Sequence, residues 1–309
     1  MGVDIGGTKV AAGLVDANGE IATQVREPMI SNSSAQEGLH SVLSAIARVM
    51  PQGEFGVGGI GICAPGPLDP KTGVILNPPN LPCWRNFPLG ESVQRRYAAT
   101  VKIDNDANAA ALAETRWGAA RGCRNVFYAT IGTGIGTGLV FDGKIYHGRT
   151  GSAGEGGHVS IDYQGPVCRC GKPGCIEILA SGTAIAQRAR EEMVVGTNSV
   201  MLELAGGDVD AFTGEIVGKA ADSEDALARK ILTEAAEMLA LWLSNMVDLF
   251  DPDVIVIGGG AAVLYQPYFG KLHERISHLT VNPRADEIPI LPARYGADAG
   301  IAGGAALCV

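Results

Sequence analysis

Val3-Asp4-Ile5-Gly6-Gly7-Thr8-Lys9-Val10 is the stretch from which the rest of this chain is read. An apolar strand runs into two consecutive glycines, and a second apolar strand, Val10 to Val15, leaves them. Paired glycines let backbone N–H groups face a phosphate with no Cβ in the way. Thr8 adds a hydroxyl and Lys9 a cation, while Asp4, at the end of the strand, is suited to hold Mg²⁺ or its water. The same residues also describe an ordinary hairpin turn, so the segment alone does not choose between a phosphate loop and a turn. Asp16 to Glu20 contains Asn18-Gly19, a hairpin signal, and Ile21 to Arg26 is expected to pair back.

The pattern recurs. Val126 to Ile131 and Gly136 to Phe141 read as strands flanking the turn Gly132-Thr133-Gly134. No helix follows, so the Gly-x-Gly-x-Gly spacing here is not a dinucleotide fingerprint. A third turn, Gly258-Gly259-Gly260, ends the strand Val254 to Ile257. Three glycine turns at strand ends predict one nucleotide held between two lobes of related architecture. Between them, the spacing predicts a helix over 35–50, a strand from Val57 to Cys63, a Pro-rich loop through Pro78, Pro79 and Pro82, and a strand Val101 to Ile103. A helix is expected from Asp106 to Trp117, mostly helix over 183–250, and a terminal helix from Ala299 to Leu307. Leu227, Ile231, Ala235, Met238, Leu239, Trp242, Met246 and Leu249 form one apolar stripe, read as core or subunit contact. No low-complexity linker interrupts the chain, so the boundary is read as a hinge near Gly118.

Composition narrows the function classes. The chain has 309 residues, 46% hydrophobic and 18% charged, enough apolar material for a sizeable core. Its net charge of −9 argues against a nucleic-acid surface. No run approaches the about 20 apolar residues of a membrane span, and no basic region followed by an apolar run marks a signal peptide. The expectation is a cytoplasmic protein with reduced cysteines. Cys63, Cys83, Cys123 and Cys308 are scattered and read as small buried residues.

Two further clusters carry chemistry. Asp104-Asn105-Asp106-Ala107-Asn108 follows a strand and opens a helix. One helix cap explains part of it, but two carboxylates and two amides exceed what a cap needs. Asp106 is read as accepting a proton from a substrate hydroxyl, with Asn105 binding a neighbouring one, as a kinase requires. Asp104 is the rival; if the segment stays extended, it points away from Asn105. Cys168-Arg169-Cys170-Gly171-Lys172-Pro173-Gly174-Cys175 places three thiols in eight residues, with His158 ten residues upstream. One His and three Cys make a closed structural Zn²⁺ site, favoured here over disulfides or free thiols. Glu155 and Glu177 flank these ligands, so that zinc would fix both of their loops. His40, His147, His273 and His278 have no partner legible in the sequence.

Taken together, these segments resemble the ROK family of bacterial sugar kinases and repressors over nearly the whole chain. The resemblance rests on Asp4 to Lys9, Asp104 to Asn108, Ile131 to His158 and the Cys168 to Glu177 run. It implies an α/β fold of the two-lobed, actin-like ATPase (ribonuclease H-like) type with an inserted zinc loop at 158–175. The smaller N-terminal lobe would comprise 1–118, completed by 299–309, and the larger lobe 119–298. It implies Asp106 as the base, with Gly66, Asn80, Asn105, Glu155, His158 and Glu177 lining a hexose pocket. Asp4, Gly6, Gly7, Thr8, Lys9, Thr133 and Gly134 would meet the phosphates of Mg²⁺-ATP, and Gly259 the nucleoside. The pattern looks most like a glucokinase, with N-acetylmannosamine or N-acetylglucosamine kinase as the nearest alternatives, and a homo-oligomer (dimer or tetramer) is expected. A sugar-responsive repressor would carry a DNA-binding segment before the first glycine loop. Here only three residues precede Asp4, a first strand shorter than the family pattern, which bears on the N-terminal lobe's stability more than on chemistry.

Overall fold

The computed structural model describes residues 1–51, 56–193 and 197–309. Residues 194–196 of the stretch expected to be mostly helical lie outside the described residues. The chain divides into two compact units. One comprises Met1–Tyr128, Gly138–Gly154 and Arg294–Val309; the other comprises Ala129–Thr137 and Glu155–Ala293. The expected break near Gly118 therefore falls inside the first unit.

The first unit begins with the antiparallel strands β1 (Gly2–Ile5), β2 (Lys9–Val15) and β3 (Ile21–Pro28). Helix α1 (Ala35–Val49) follows behind a capping box, in which Ser34 Oγ accepts from Glu37 N–H and the Glu37 carboxylate accepts from Ser34 N–H. Val42, Ala45, Ile46 and Val49 turn its apolar face into the core. Strand β4 (Ile60–Ala64) starts three residues later than expected and lies parallel to β1. A ribbon, β5 (Leu68–Asp69) and β6 (Val74–Ile75), and helix α2 (Leu89–Tyr97) flank the Pro-rich loop and are not expected from the residue pattern. Strand β7 (Val101–Asn105) closes the sheet in the order β3-β2-β1-β4-β7 and runs directly into α3 (Asp106–Arg116).

The second sheet has the order β10-β9-β8-β11-β12, built from β8 (Val126–Ile131), β9 (Ile135–Phe141), β10 (Lys144–Ile145), β11 (Val254–Gly258) and β12 (Ile290–Pro292). Its numbering pattern parallels that of the first sheet, as the repeated strand-turn-strand signal predicts. The stretch expected to be mostly helical is several separate helices: α4 (Glu177–Ala180), α5 (Gly182–Glu192), α6 (Val200–Leu204), α7 (Gly214–Asp222) and the long α8 (Ala226–Phe250). In α8, Ile231, Ala235, Leu239, Trp242 and Met246 are buried as the stripe predicts, whereas Leu249 is exposed. Helix α9 (Phe269–Leu279) precedes β12, and α10 (Ala299–Leu307) returns to the first unit.

Helix α10 packs on β1, β4 and α3 with a sequence that is mostly glycine and alanine. A Cβ at Gly61 of β4 would lie 1.7 Å from Gly304 O, and one at Gly2 of β1 would lie 1.7 Å from Ile301 O. On its other side, a Cβ at Gly303 would lie 2.8 Å from the Ala109 carbonyl carbon of α3. Backbone cannot yield as a flexible side chain does, so these contacts fix the spacing of sheet, α10 and α3. Gly61→Ala is expected to destabilise the fold by about 3 kcal/mol or more, read as a lowered midpoint in urea unfolding. A midpoint within error of the parent would show that α10 can shift freely.

Candidate active site and zinc centre

The first unit assembles an acidic cluster at the carboxyl ends of its strands. Asp4 and Asp104 each lie one residue before the end of their strands, β1 and β7, with Asp106 the first residue of α3. Extended backbone at the end of β7 sends consecutive side chains to opposite faces. Asp104 is 4% exposed, while Asp106 is exposed. The Asp104 carboxylate is fully engaged: Oδ1 accepts from Asn105 N–H (2.8 Å) and Asn108 Nδ2 (3.1 Å), and Oδ2 faces His147 Nε2 at 2.6 Å. It is thus occupied as a structural acceptor, leaving Asp106 as the accessible carboxylate. Asn105 does cap α3, its Oδ1 accepting from Ala107 N–H at 2.9 Å. That bond spends the oxygen and orients the amide, and its Nδ2 lies 3.9 Å from where a Cβ on Gly66 would stand.

Asp4 lies against the first turn of α10, where a Cβ on Gly300 would come within 2.3 Å of its Cγ. Burial, reinforced by the negative charge of Asp106, pushes its carboxyl up to about 6, with Lys9 and Arg26 opposing. Between Asp4 and Asp104 the Cys63 thiol donates to Gly300 O at 3.1 Å. Burial, then the charges of Asp4, Asp106 and Asp104, hold this thiol protonated. The glycine loop is a tight hairpin, with Gly6 N–H donating to Lys9 O at 2.9 Å. Ser31 Oγ donates to Gly7 O at 2.5 Å, and a Cβ at Gly7 would lie 2.8 Å from Asn80 O, so Asn80 packs on the loop. Thr8 and Lys9 are exposed at its tip. An oxygen-only donor such as the Asp4 carboxylate, beside a loop that exposes a threonine and a lysine, suits Mg²⁺ carried by phosphates.

In the second unit, His158 Nδ1 lies 3.6 Å from Cys168 Sγ, and Cys170 Sγ lies 3.5 Å from Cys175 Sγ. All four ligand atoms fall within 4.8 Å of one another. A tetrahedron of thiolates at about 2.3 Å from Zn²⁺ has edges of about 3.8 Å, so this donor set is within about 1 Å of zinc geometry. The knuckle is built by turns: Cys168 N–H donates to Lys172 O, Gly171 N–H to Cys168 O, and Gly174, at φ +59°, lies where a Cβ would strike Asp162 O. With Nδ1 toward the metal position, His158 keeps its Nε2 for a hydroxyl. His158 ends a 3₁₀ turn, Gly156–His158, that is pinned from two sides. Gly156 N–H donates to Thr137 Oγ1 at 3.0 Å, and Trp242 Nε1 of α8 donates to Gly156 O at 3.0 Å. Glu155 stands exposed just before this turn.

Glu177, two residues beyond Cys175, opens α4. Its Oε2 accepts from Ile135 N–H at 3.1 Å and occupies the place where a Cβ on Gly134 would be. One oxygen of this expected sugar ligand is therefore committed to the Gly132-Thr133-Gly134 turn. That turn and Gly260-Ala261 border a cavity of about 1000 Å³. Gly259, at φ +90°, shapes the cavity edge by lying against Ile131 O, without lining it; Gly134 likewise lies behind Thr133. The other walls come from α5, α7 and α8, including Gly182, Thr183, Arg190, Lys219 and Leu232, with Phe212, Leu264 and Tyr268 supplying apolar surface. The size and mixed lining suit a nucleotide. None of these helical residues was legible as a site, because each carries an ordinary helix-face pattern.

Zinc analysis of protein purified without chelator should find one Zn²⁺ per chain; a value near zero in folded protein would remove the site. Removal by chelator, or Cys175→Ser, should lower the melting temperature and, because Trp242 holds the neighbouring turn, change tryptophan fluorescence. A second expectation concerns Asp4. Its folded pKa lies above the unfolded value, so ionisation opposes folding: the penalty is fully present above pH about 6 and fades as the pH falls toward 4. Asp4→Asn should therefore raise stability at pH 8 by on the order of 2 kcal/mol and give no gain near pH 4. Equal effects at both pH values would contradict this.

The sequence matches the ROK family over residues 1–309. It is 33% identical over 307 residues to the glucokinase of Thermotoga maritima, covering 99% of this chain and 96% of that protein. A solved structure of a ROK family glucokinase from Streptomyces griseus, in complex with glucose and AMPPNP, superposes with a TM-score of 0.83 at 33% identity, covering 99% of this chain and 97% of the other. A xylose repressor of Caldicellulosiruptor bescii is 31% identical over 280 residues, 90% of this chain and 69% of that protein. With the glycine turns, the acidic strand ends and the His-Cys₃ cluster in a fold of the actin-like ATPase type, the chain belongs to the ROK family.

Proposed function

We propose that this chain transfers the γ-phosphoryl group of ATP to the 6-hydroxyl of a hexose, with glucose as the acceptor. The observation that carries the reading is the division of labour at the β7–α3 junction: Asp104 is buried with both oxygens hydrogen-bonded, and Asp106 is exposed on the first turn of a helix. A sugar sensor needs hydroxyl ligands but has no use for an accessible carboxylate poised as a base. The glucose and AMPPNP bound to the S. griseus relative support the same pair of substrates.

In this reading Asp106 accepts the proton of the 6-hydroxyl as the oxygen attacks phosphorus, and Asn105 Nδ2 orients a neighbouring hydroxyl. Gly66 and Asn80 leave room for the ring, while Glu155, His158 Nε2 and the second oxygen of Glu177 bind further hydroxyls. Backbone N–H groups of Gly7 and Gly134, with Thr8, Lys9 and Thr133, hold the phosphates, and Gly6 shapes the loop that presents them. Mg²⁺, held through Asp4, would neutralise charge on the phosphates, and Zn²⁺ would fix the His158 loop. A reaction that consumes ATP and a free hexose belongs in the cytoplasm.

The N-acetylmannosamine and N-acetylglucosamine kinases would use the same base and differ at the wall beside the sugar 2-position. A coupled ATP assay across glucose, N-acetylmannosamine, N-acetylglucosamine, fructose and allose separates them, with the highest kcat/KM expected for glucose. Asp106→Asn should lower kcat by about 10²–10⁴-fold while glucose binding, measured by calorimetry, changes far less. Near-normal turnover in that variant would move the base elsewhere. Sugar binding by the parent without phosphorylation of any acceptor would favour the repressor-like, non-catalytic reading that the xylose repressor relative represents.

A further inference from the structure

We propose that His147 is a positioning residue for this reaction, acting through Asp104 to hold the junction that carries Asn105 and Asp106. The inference rests on reading Asp106 as the proton acceptor. It begins from the three donors on the Asp104 carboxylate. Two of them, Asn105 N–H and Asn108 Nδ2, belong to the β7–α3 segment itself and would travel with it if it shifted. The third, His147 Nε2, comes from 43 residues away, just beyond β10, and makes the shortest contact at 2.6 Å. It is the donor that ties the junction to a different element.

The rest of the network is organised around the same carboxylate. The Asn108 amide is turned so that its nitrogen reaches Asp104, which leaves Asn108 Oδ1 buried without a partner. A buried acceptor left unpaired costs free energy, so this orientation is kept for the sake of Asp104. Asp104 Oδ1 in turn holds Asn105 N–H, and Asn105 Oδ1 caps α3. Asp106 is the next residue, and its position follows from where Asn105 is held. His147 lies half-buried, and the hydrogen bond to Asp104 raises its pKa against the opposing effects of burial and Lys71. In either protonation state the Nε2–H tautomer donates to Asp104. Releasing that bond frees Asp104 to rotate and loosens the amide that orients the base. A displacement of about 1 Å at a reacting group can cost about 10²-fold in rate.

The test compares His147→Phe, which keeps a ring without the donor, with His147→Gln, which keeps an N–H donor. His147→Phe should lower kcat by about 10–100-fold with the KM values for glucose and ATP changed less than about threefold, and His147→Gln should restore most of the loss. Amide exchange at Asn105 and Asn108 should accelerate in His147→Phe and stay near the parent rate in His147→Gln. If His147→Phe does not fold, His147→Ala, which also lacks the donor, carries the same comparison. A kcat within about twofold of the parent, an equal loss in both variants, or unchanged amide exchange would overturn the proposal. If the parent phosphorylates no hexose, the kinase reading fails, and amide exchange alone then decides whether His147 holds the junction.

Discussion

The close approach of α10 to the first sheet sets the geometry on which the acidic site depends. With glycine at positions 2, 61, 303 and 304, backbone meets backbone on one face of the helix, and α3 sits directly on the other. At these glycine contacts no side chain stands between the backbones to take up slack, so the positions of β1, β4, α10 and α3 are mutually determined. Asp4 lies near the end of β1, Cys63 lies in β4, Gly300 is in the first turn of α10 and Asp106 opens α3; the cluster is where these four elements meet. The site is precise because its supports are incompressible.

Three carboxylates in such a space would repel one another if all were treated alike. Each is accommodated differently. Asp104 is compensated by three hydrogen-bond donors, Asp4 is pushed toward its protonated form by burial and by Asp106, and Asp106 itself remains exposed to solvent. Water, protein donors and a proton thus share the task that a bound cation would take over at Asp4. The Cys63 thiol among them stays neutral because ionising it would add a fourth negative charge to an already buried group.

Much of this was legible from residue type and spacing. Glycine turns at strand ends, the extended Asp104-Asn105 step and the Cys-x-Cys-x₄-Cys run each express a local rule, and the strands, α3 and the His-Cys₃ cluster occupy the stretches those rules indicate. Other features had no local signature. His147 reads as an isolated histidine until β10 brings it to Asp104. The cavity walls on α5 and α7 come from residues whose spacing is that of any amphipathic helix. Helix α2 lies behind a Pro-rich stretch whose turns hide it, and Leu249 follows the apolar stripe of α8 yet is exposed near the helix end. What sequence conceals here is contact between distant segments.

The Glu177 carboxylate has a consequence for how this chain can change. It sits two residues past the last cysteine of the knuckle, and its Oε2 lies 2.5 Å from the place where a Cβ on Gly134 would project. Positions 134 and 177 therefore share one volume. A side chain at 134 would require a shorter residue at 177, and a shorter residue at 177 would leave Ile135 N–H without its acceptor. The glycine turn and the cysteine knuckle, more than thirty residues apart in sequence, cannot drift independently; variation tolerated at one would have to be matched by variation at the other.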